Sequence, residues 1–253
     1  MAAREGAPGP LRVIRTAQGA GCIAGAVRLP ESGPGFQTIR NGKTWFWGAP
    51  EVIAAVQLLG QRAQAAGLPD LYIGEISLPR GGPFQSGHVS HQTGLDVDIW
   101  LDVTPKLVLS AAERENLHPP GVVRADRRAV DPRRWQPEHV TLLHLAATLP
   151  GVDRVLVNPA IKKRLCEEVR GDRSWLRLIR PWYGHAAHMH IRFRCPPGQP
   201  DCVDGPPPPA GESCDASLQW WFDQIDNPDP PKPGGPPRPP PVPAACRPIL
   251  AGR

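Results

Sequence analysis

Ser86-Gly87-His88-Val89-Ser90-His91-Gln92-Thr93-Gly94-Leu95-Asp96-Val97-Asp98-Ile99-Trp100 is the stretch whose reading decides the fold of this chain. From Leu95 to Val103 the residues alternate. Leu95, Val97, Ile99 and Leu101 fall on one side, and Asp96, Asp98, Trp100 and Asp102 on the other. A period of two predicts a strand. A second segment, His185-Ala186-Ala187-His188-Met189-His190, leads into another strand-like run that ends at Arg194. On a strand His188 and His190 face one side and Met189 the other. Two neighbouring strands can then present Asp98 and His190 on one face. His91 enters from the loop before the first strand, and Gly94 lets that loop turn tightly enough to aim it back.

These two segments hold five histidines and two aspartates. A catalytic zinc needs those residue types: neutral imidazole nitrogens, a carboxylate oxygen and one position left for water. The spacing predicts zinc held by His91, Asp98 and His190. His188, one pleat from His190 and not a ligand, suits proton transfer from water to a leaving amine. His185 is placed to orient the substrate or to stabilise the oxyanion. The chemistry is that of a zinc hydrolase. A serine nucleophile fits less well, because Ser90 beside His91 lacks a Gly-x-Ser-x-Gly elbow. Gly81-Gly82 is too short for a phosphate loop, and His118, His139 and His144 read as surface or helix residues.

Outward from this centre, 253 residues suffice for one large domain or two small ones. The net charge of +5 favours an anionic partner, but no Lys/Arg block resembles a nucleic-acid arm, so nucleic acid is not expected. No apolar run reaches the about 20 residues of a membrane span. Met1-Ala2-Ala3-Arg4-Glu5-Gly6 has no apolar core of a signal peptide, so the leader of an exported protein would be absent from this sequence. Six cysteines without a Cys-x-x-Cys pair point to disulfides and an oxidising compartment. Spacing alone suggests the short Cys195–Cys202 loop as one pair.

Residues 1–48 read as loops and short extended pieces. A helix is predicted from Pro50 to about Ala66, stopping at Gly67, and a strand over Leu71–Leu78 that Arg80-Gly81-Gly82-Pro83 breaks. Residues 104–136 read as a long loop. A helix over Pro137–Leu149, a strand over Val152–Val157 and a helix from Pro159 to about Arg170 follow. After Cys195 the chain is mostly proline, aspartate and glycine, with Leu218-Gln219-Trp220-Trp221-Phe222 as an aromatic patch docking on the body and Pro230–Pro243 as polyproline II. The chain divides into a core, 1–195, and a Pro-rich extension without a core of its own, 196–253.

Gly87–Trp100 and His185-x-x-His188-Met189-His190, with Val157-Asn158-Pro159-Ala160-Ile161-Lys162 and Arg180-Pro181-Trp182, resemble the penicillin-insensitive murein endopeptidases from about Gly21 to Cys246. That family belongs with the lysostaphin-type peptidases, the D-Ala-D-Ala peptidases and the Hedgehog domain. The resemblance implies an α+β fold with a small antiparallel sheet flanked by helices. It implies His91, Asp98 and His190 as zinc ligands, His188 as the catalytic histidine, and His88 at a further metal-site position. Asp126 matches an acidic position of an auxiliary site, but Ala129 stands where the family pattern has a histidine, which weakens the case for a second ion. The implied pairings are Cys22–Cys246, Cys166–Cys214 and Cys195–Cys202. The implied activity is cleavage of the peptidoglycan cross-link between D-alanine and meso-diaminopimelate in the periplasm. A zinc D-Ala-D-Ala carboxypeptidase and a non-catalytic zinc-stabilised wall-binding module are the alternatives. A homodimer is compatible with the sequence.

Overall fold

The computed structural model describes residues 5–84, 88–228 and 240–251. Among them, β1 (Arg12–Arg15) and β2 (Gly21–Ala24) form a hairpin. β3 (Val27–Arg28) pairs with β6 (Trp47–Gly48). The main sheet takes β4 (Ser32–Gly33), β5 (Phe36–Thr38), β7 (Leu71–Ile73), β8 (Asp96–Trp100), β9 (Val152–Val157), β10 (Ile179–Pro181) and β11 (His188–Phe193). Its order is β10-β9-β11-β8-β7-β5-β4. The helices are α1 (Pro50–Ala65), α2 (Ala111–Glu115), α3 (Pro137–Ala147), α4 (Pro159–Glu168), α5 (Ala216–Asp226) and α6 (Arg247–Ala251).

The fold is α+β as expected, but the sheet is seven-stranded and mixed, not small and antiparallel. The antiparallel expectation holds in the centre, from β9 through β11 and β8 to β7. It fails on either side of that centre, at β9–β10 and β7–β5, because a helix lies between the paired strands, while β4 and β5 at the far edge again run antiparallel. β5 reaches β7 through α1, and β9 reaches β10 through α4, so each pair runs parallel. Pro181, which cannot donate to a ladder, is tolerated in β10 because β10 is the edge strand.

β11 and β8 pair with His190 opposite Asp98, Met189 opposite Ile99 and Ile191 opposite Val97. Val97, Ile99, Met189 and Ile191 are fully buried in the core with Leu142 and Leu143 of α3 and Ile161 of α4. The other face carries the aspartates and histidines, and all of β8 is buried on that side too. The expected strand Leu71–Leu78 is shorter, because the chain leaves the ladder at Gly74. The Gly74 N–H donates to the Asp98 carbonyl at 2.8 Å, and a Cβ at Gly74 would lie 3.3 Å from that oxygen.

Residues 104–136 are not loop throughout. They contain α2, opened by Ser110 and Glu113 in a capping box. The extension after Cys195 contains α5, whose Leu218 and Phe222 are buried while Trp220 is 47% exposed, so the aromatic patch docks on one side only. The polyproline II expectation for Pro230–Pro243 falls mostly on 229–239, outside the described residues. The disulfides are Cys22–Cys246, Cys166–Cys214 and Cys195–Cys202, the pairings the resemblance implies. Cys22–Cys246 closes a separation of 224 residues. By chain entropy such a closure contributes about 5 kcal/mol, at the upper end of what disulfides deliver.

Lys162 of α4 is fully buried, and its Nζ donates to the Leu176 carbonyl at 2.7 Å. Burial first, and then the Arg180 charge, push its pKa down to about 7. In the unfolded chain the amine keeps its ordinary value, about 10.4. Between the two values the unfolded chain binds more protons, so stability climbs as pH rises through this window and is lost as pH falls back toward 7. Urea unfolding should show Lys162 adding about 2 kcal/mol between about pH 7 and pH 9. Lys162→Met should lack that increment.

Candidate metal centre

The centre is built on the polar face of β8 and β11 and on the loop 88–95. Gly94 ends that loop at φ +69°, and a Cβ there would sit 2.9 Å from the Gly48 Cα, so the turn requires glycine. His91 is 1% exposed. Its Nδ1 lies 3.0 Å from the Ile76 carbonyl, to which an Nδ1–H donates, leaving the Nε2 lone pair facing inward. His190 is turned the opposite way round. Its Nε2–H donates to Asp96 Oδ1 at 2.7 Å, leaving Nδ1 to face inward.

Between them stands Asp98. Its Oδ1 is 3.3 Å from His91 Nε2 and 3.0 Å from His190 Nδ1, and those nitrogens are 3.1 Å apart. Its Oδ2 faces His88 Nδ1 at 3.2 Å and His188 Nε2 at 3.7 Å. One buried carboxylate thus has four imidazoles around it. His88, His91 and Asp98 each offer a ligand atom within 4.8 Å of the others, a set that could hold a metal ion. The triangle of His91, Asp98 and His190 fits such an ion as well. Tetrahedral bonds of 2.0–2.2 Å set ligand atoms about 3.3 Å apart, close to the three edges found. Asp98 Oδ1 is buried and makes no hydrogen bond, a state that a cation at this point would relieve.

Electrostatics agree with the geometry. Burial works to raise the Asp98 carboxyl, but the imidazoles around it, His91 first and then His190 and His88, hold it well below the usual carboxylate range. Burial also opposes ionisation of His190, yet Asp96 and then Asp98 push its pKa up to about 9. A proton on His190 balances the carboxylate where a metal would otherwise do so. His188 is held below its ordinary value, chiefly by burial, and is neutral near pH 7. His185 is pushed down to about 4 by burial and then by His188 and His190. Its ring lies 5.0 Å from that of His188 and 5.8 Å from that of His190.

The structure therefore brings together His88, His91, Asp98, His185, His188 and His190. Asp126 is engaged elsewhere, paired with Arg124 at 2.7 Å and accepting the Arg128 backbone N–H at 3.0 Å. Two residues of the site carried no role in the sequence reading. Asp96 fixes the tautomer of His190 and is itself held by Arg192 at 2.8 Å. Its place in phase with Asp98 was the available signal. Glu75 lies 4.0 Å from His88 and 3.2 Å from Arg40. The break at Gly74 that turns it inward has no periodic signature.

Residues 16–251 match the profile of the family described as penicillin-insensitive murein endopeptidase. The chain belongs to that family. Proteins of this name are similar to it along most of its length. The one from Haemophilus influenzae is 45% identical over 236 residues, covering 91% of this chain and 79% of the relative. The one from Klebsiella pneumoniae is 42% identical, covering 91% and 83%. The one from Salmonella newport is 43% identical with the same coverage. Within the described residues no helix is long and apolar enough to cross a membrane.

For this murein endopeptidase family member, loss of the Asp96 carboxylate should free the His190 ring. Asp96→Asn is expected to weaken divalent transition-metal affinity by about 10–100-fold, as removal of such outer hydrogen bonds does. Competition against a chromogenic chelator measures the change.

Proposed function

We propose that this chain is a zinc-dependent endopeptidase that hydrolyses the D-alanyl–meso-diaminopimelyl amide cross-link of peptidoglycan in the periplasm. The observation that carries the reading is the triangle of His91 Nε2, His190 Nδ1 and Asp98 Oδ1, with the oxygen buried and without a hydrogen bond. The family match supplies the substrate class. Two imidazoles and one carboxylate suit zinc and leave a position open. His91, Asp98 and His190 hold the ion in this reading, and His88 braces the other oxygen of Asp98. A bound zinc ion lowers the pKa of water toward about 7 and polarises the amide carbonyl.

The chain's own residues do the rest. His188, neutral and 29% exposed in its side chain, takes the proton from water and delivers it to the leaving amine. His185, with its Nδ1 lying 3.0 Å from the Tyr183 carbonyl, lies beside His188 and orients the scissile amide. Residues 1–195 act as the zinc peptidase core and 196–253 as an extension packed on it. The architecture is taken as that of the lysostaphin, D-Ala-D-Ala peptidase and Hedgehog group. The antiparallel β8–β11 pair that carries Asp98 and His190 supports this assignment.

Purified cross-linked muropeptide dimers, digested and analysed by mass spectrometry, test the proposal. The native protein should yield monomers, lose activity to a chelator and regain it with zinc. His188→Ala should keep its zinc while kcat falls by about 10²–10⁴-fold. Loss of a single alanine instead of dimer cleavage would assign a carboxypeptidase. Binding to sacculi without hydrolysis would leave only a wall-binding module.

A further inference from the structure

Four aromatic rings stand together on the surface beside the imidazole cluster. Trp182 is 54% exposed, Tyr183 37% and Trp220 47%. Trp221 links them, with ring centroids 6.0 Å from Trp182, 4.8 Å from Tyr183 and 5.2 Å from Trp220. The Tyr183 hydroxyl donates to the Trp221 carbonyl at 2.5 Å. Exposed aromatic side chains gathered into one patch mark an interaction site more often than a packing accident.

The fold holds this patch in place from both sides. Cys214, bonded to Cys166 of α4, immediately precedes Asp215, whose side chain caps α5 by accepting the Ser217 N–H. Leu218 and Phe222, one helical turn apart, are buried and fix the rotation of α5. Trp220, two residues from each, is thereby turned outward. On the other side, Trp182 and Tyr183 run directly into Gly184 and His185. Asn158 holds that segment, its Nδ2 donating to the Gly184 carbonyl at 2.8 Å and its N–H to the His185 carbonyl at 3.1 Å. Only Gly184 separates Tyr183 from His185, at most about 7 Å of chain. The patch and the cluster are therefore two ends of one fixed surface.

The chemistry of the patch selects its occupant. Residues 216–226 contain no lysine or arginine, and the cations that reach this helix from elsewhere are engaged, Arg128 by Asp226 and Lys163 by Glu167 and the Phe222 ring, so the phosphates of a nucleic acid or an anionic lipid find little counter-charge there. The polar groups that the helix itself presents are amides and carboxylates, with Gln219 donating to Asp223 at 2.8 Å. Flat aromatic faces bordered by such groups suit pyranose rings. A sugar ring lays its C–H face on the aromatic ring and turns its hydroxyls to the polar border. We propose that Trp182, Tyr183, Trp220 and Trp221 form a subsite for the glycan strand, stacking N-acetylated hexose rings while the attached peptide enters the imidazole cluster. This rests on the peptidoglycan reading above.

Calorimetric titration of the full chain with a β-1,4-linked tetramer of N-acetylglucosamine tests the subsite without any amide cross-link in the assay. Saturable binding in the millimolar range is expected. Trp182→Ala and Trp220→Ala should each weaken it by about tenfold, and Trp220→Phe by less. Unchanged thermal melting shows that the variants are folded. Absence of saturable binding, or binding that both alanine variants leave intact, would overturn the subsite. So would a dimer seen in sedimentation and abolished by Trp220→Ala, which would give the patch to a second copy. Cleavage of muropeptide dimers without tetramer binding rejects the subsite alone. Tetramer binding without cleavage upholds it and rejects the endopeptidase reading.

Discussion

A carboxylate taken out of water and ringed by imidazoles is the constraint on which the rest of this structure depends. Asp98 is 3% exposed, and nothing neutral could compensate its charge. An unpaired buried charge costs several kcal/mol after relaxation. The site meets that cost by aiming two imidazole nitrogens at one carboxylate oxygen. Three such atoms about 3 Å apart repel one another unless a proton or a metal cation lies among them. The proton on His190 supplies that charge, and a more highly charged ion could displace it.

The precision of that point comes from the opposite face of the sheet. A slip of one residue between β8 and β11 would bury His190 in the core and expose Met189 to the site. Val97, Ile99, Met189 and Ile191 prevent it, because each is fully buried against the helix layer. Apolar packing thus sets the register, and the register sets which imidazole meets which carboxylate. The break at Gly74 adds the third side, since leaving the ladder frees the Ile76 carbonyl to fix the His91 ring.

Legibility followed periodicity. The alternation of Leu95–Val103 and the spacing of His188 and His190 are local patterns, and they place Asp98 and His190 on one face without any knowledge of their partners. The two βαβ crossings were not legible, because pairing between distant strands leaves no local trace. β10 is three residues long and contains Pro181, so propensity argues against it. α5 was hidden by the composition around it. Its own signals, Asp215 as a cap and Leu218 and Phe222 four apart, are present but sit within a run of prolines and glycines. Helix α2 was likewise readable from Ser110-x-x-Glu113, a pattern too short to stand out within a polar loop.

The extension after Cys195 is electrically part of the site, which explains why the chain ties it down. Asp96, the anchor of His190, is fully buried and bonded to Arg192. Behind them lies Arg15 of β1, 3% exposed, drawn toward Asp96 and held at 3.0 Å by the Phe193 carbonyl. The remaining partners of Arg15 come from the extension: the Val203 carbonyl at 3.2 Å and the Asp204 carboxylate. The Cys195–Cys202 bridge closes the turn just before them. An Arg15 left without these acceptors would be a buried cation in need of a new partner, and the Asp96 carboxylate is among the charges that already act on it. The covalent closure of a short loop at the end of the core therefore reaches, through Arg15 and Asp96, to the nitrogen that His190 presents at the centre.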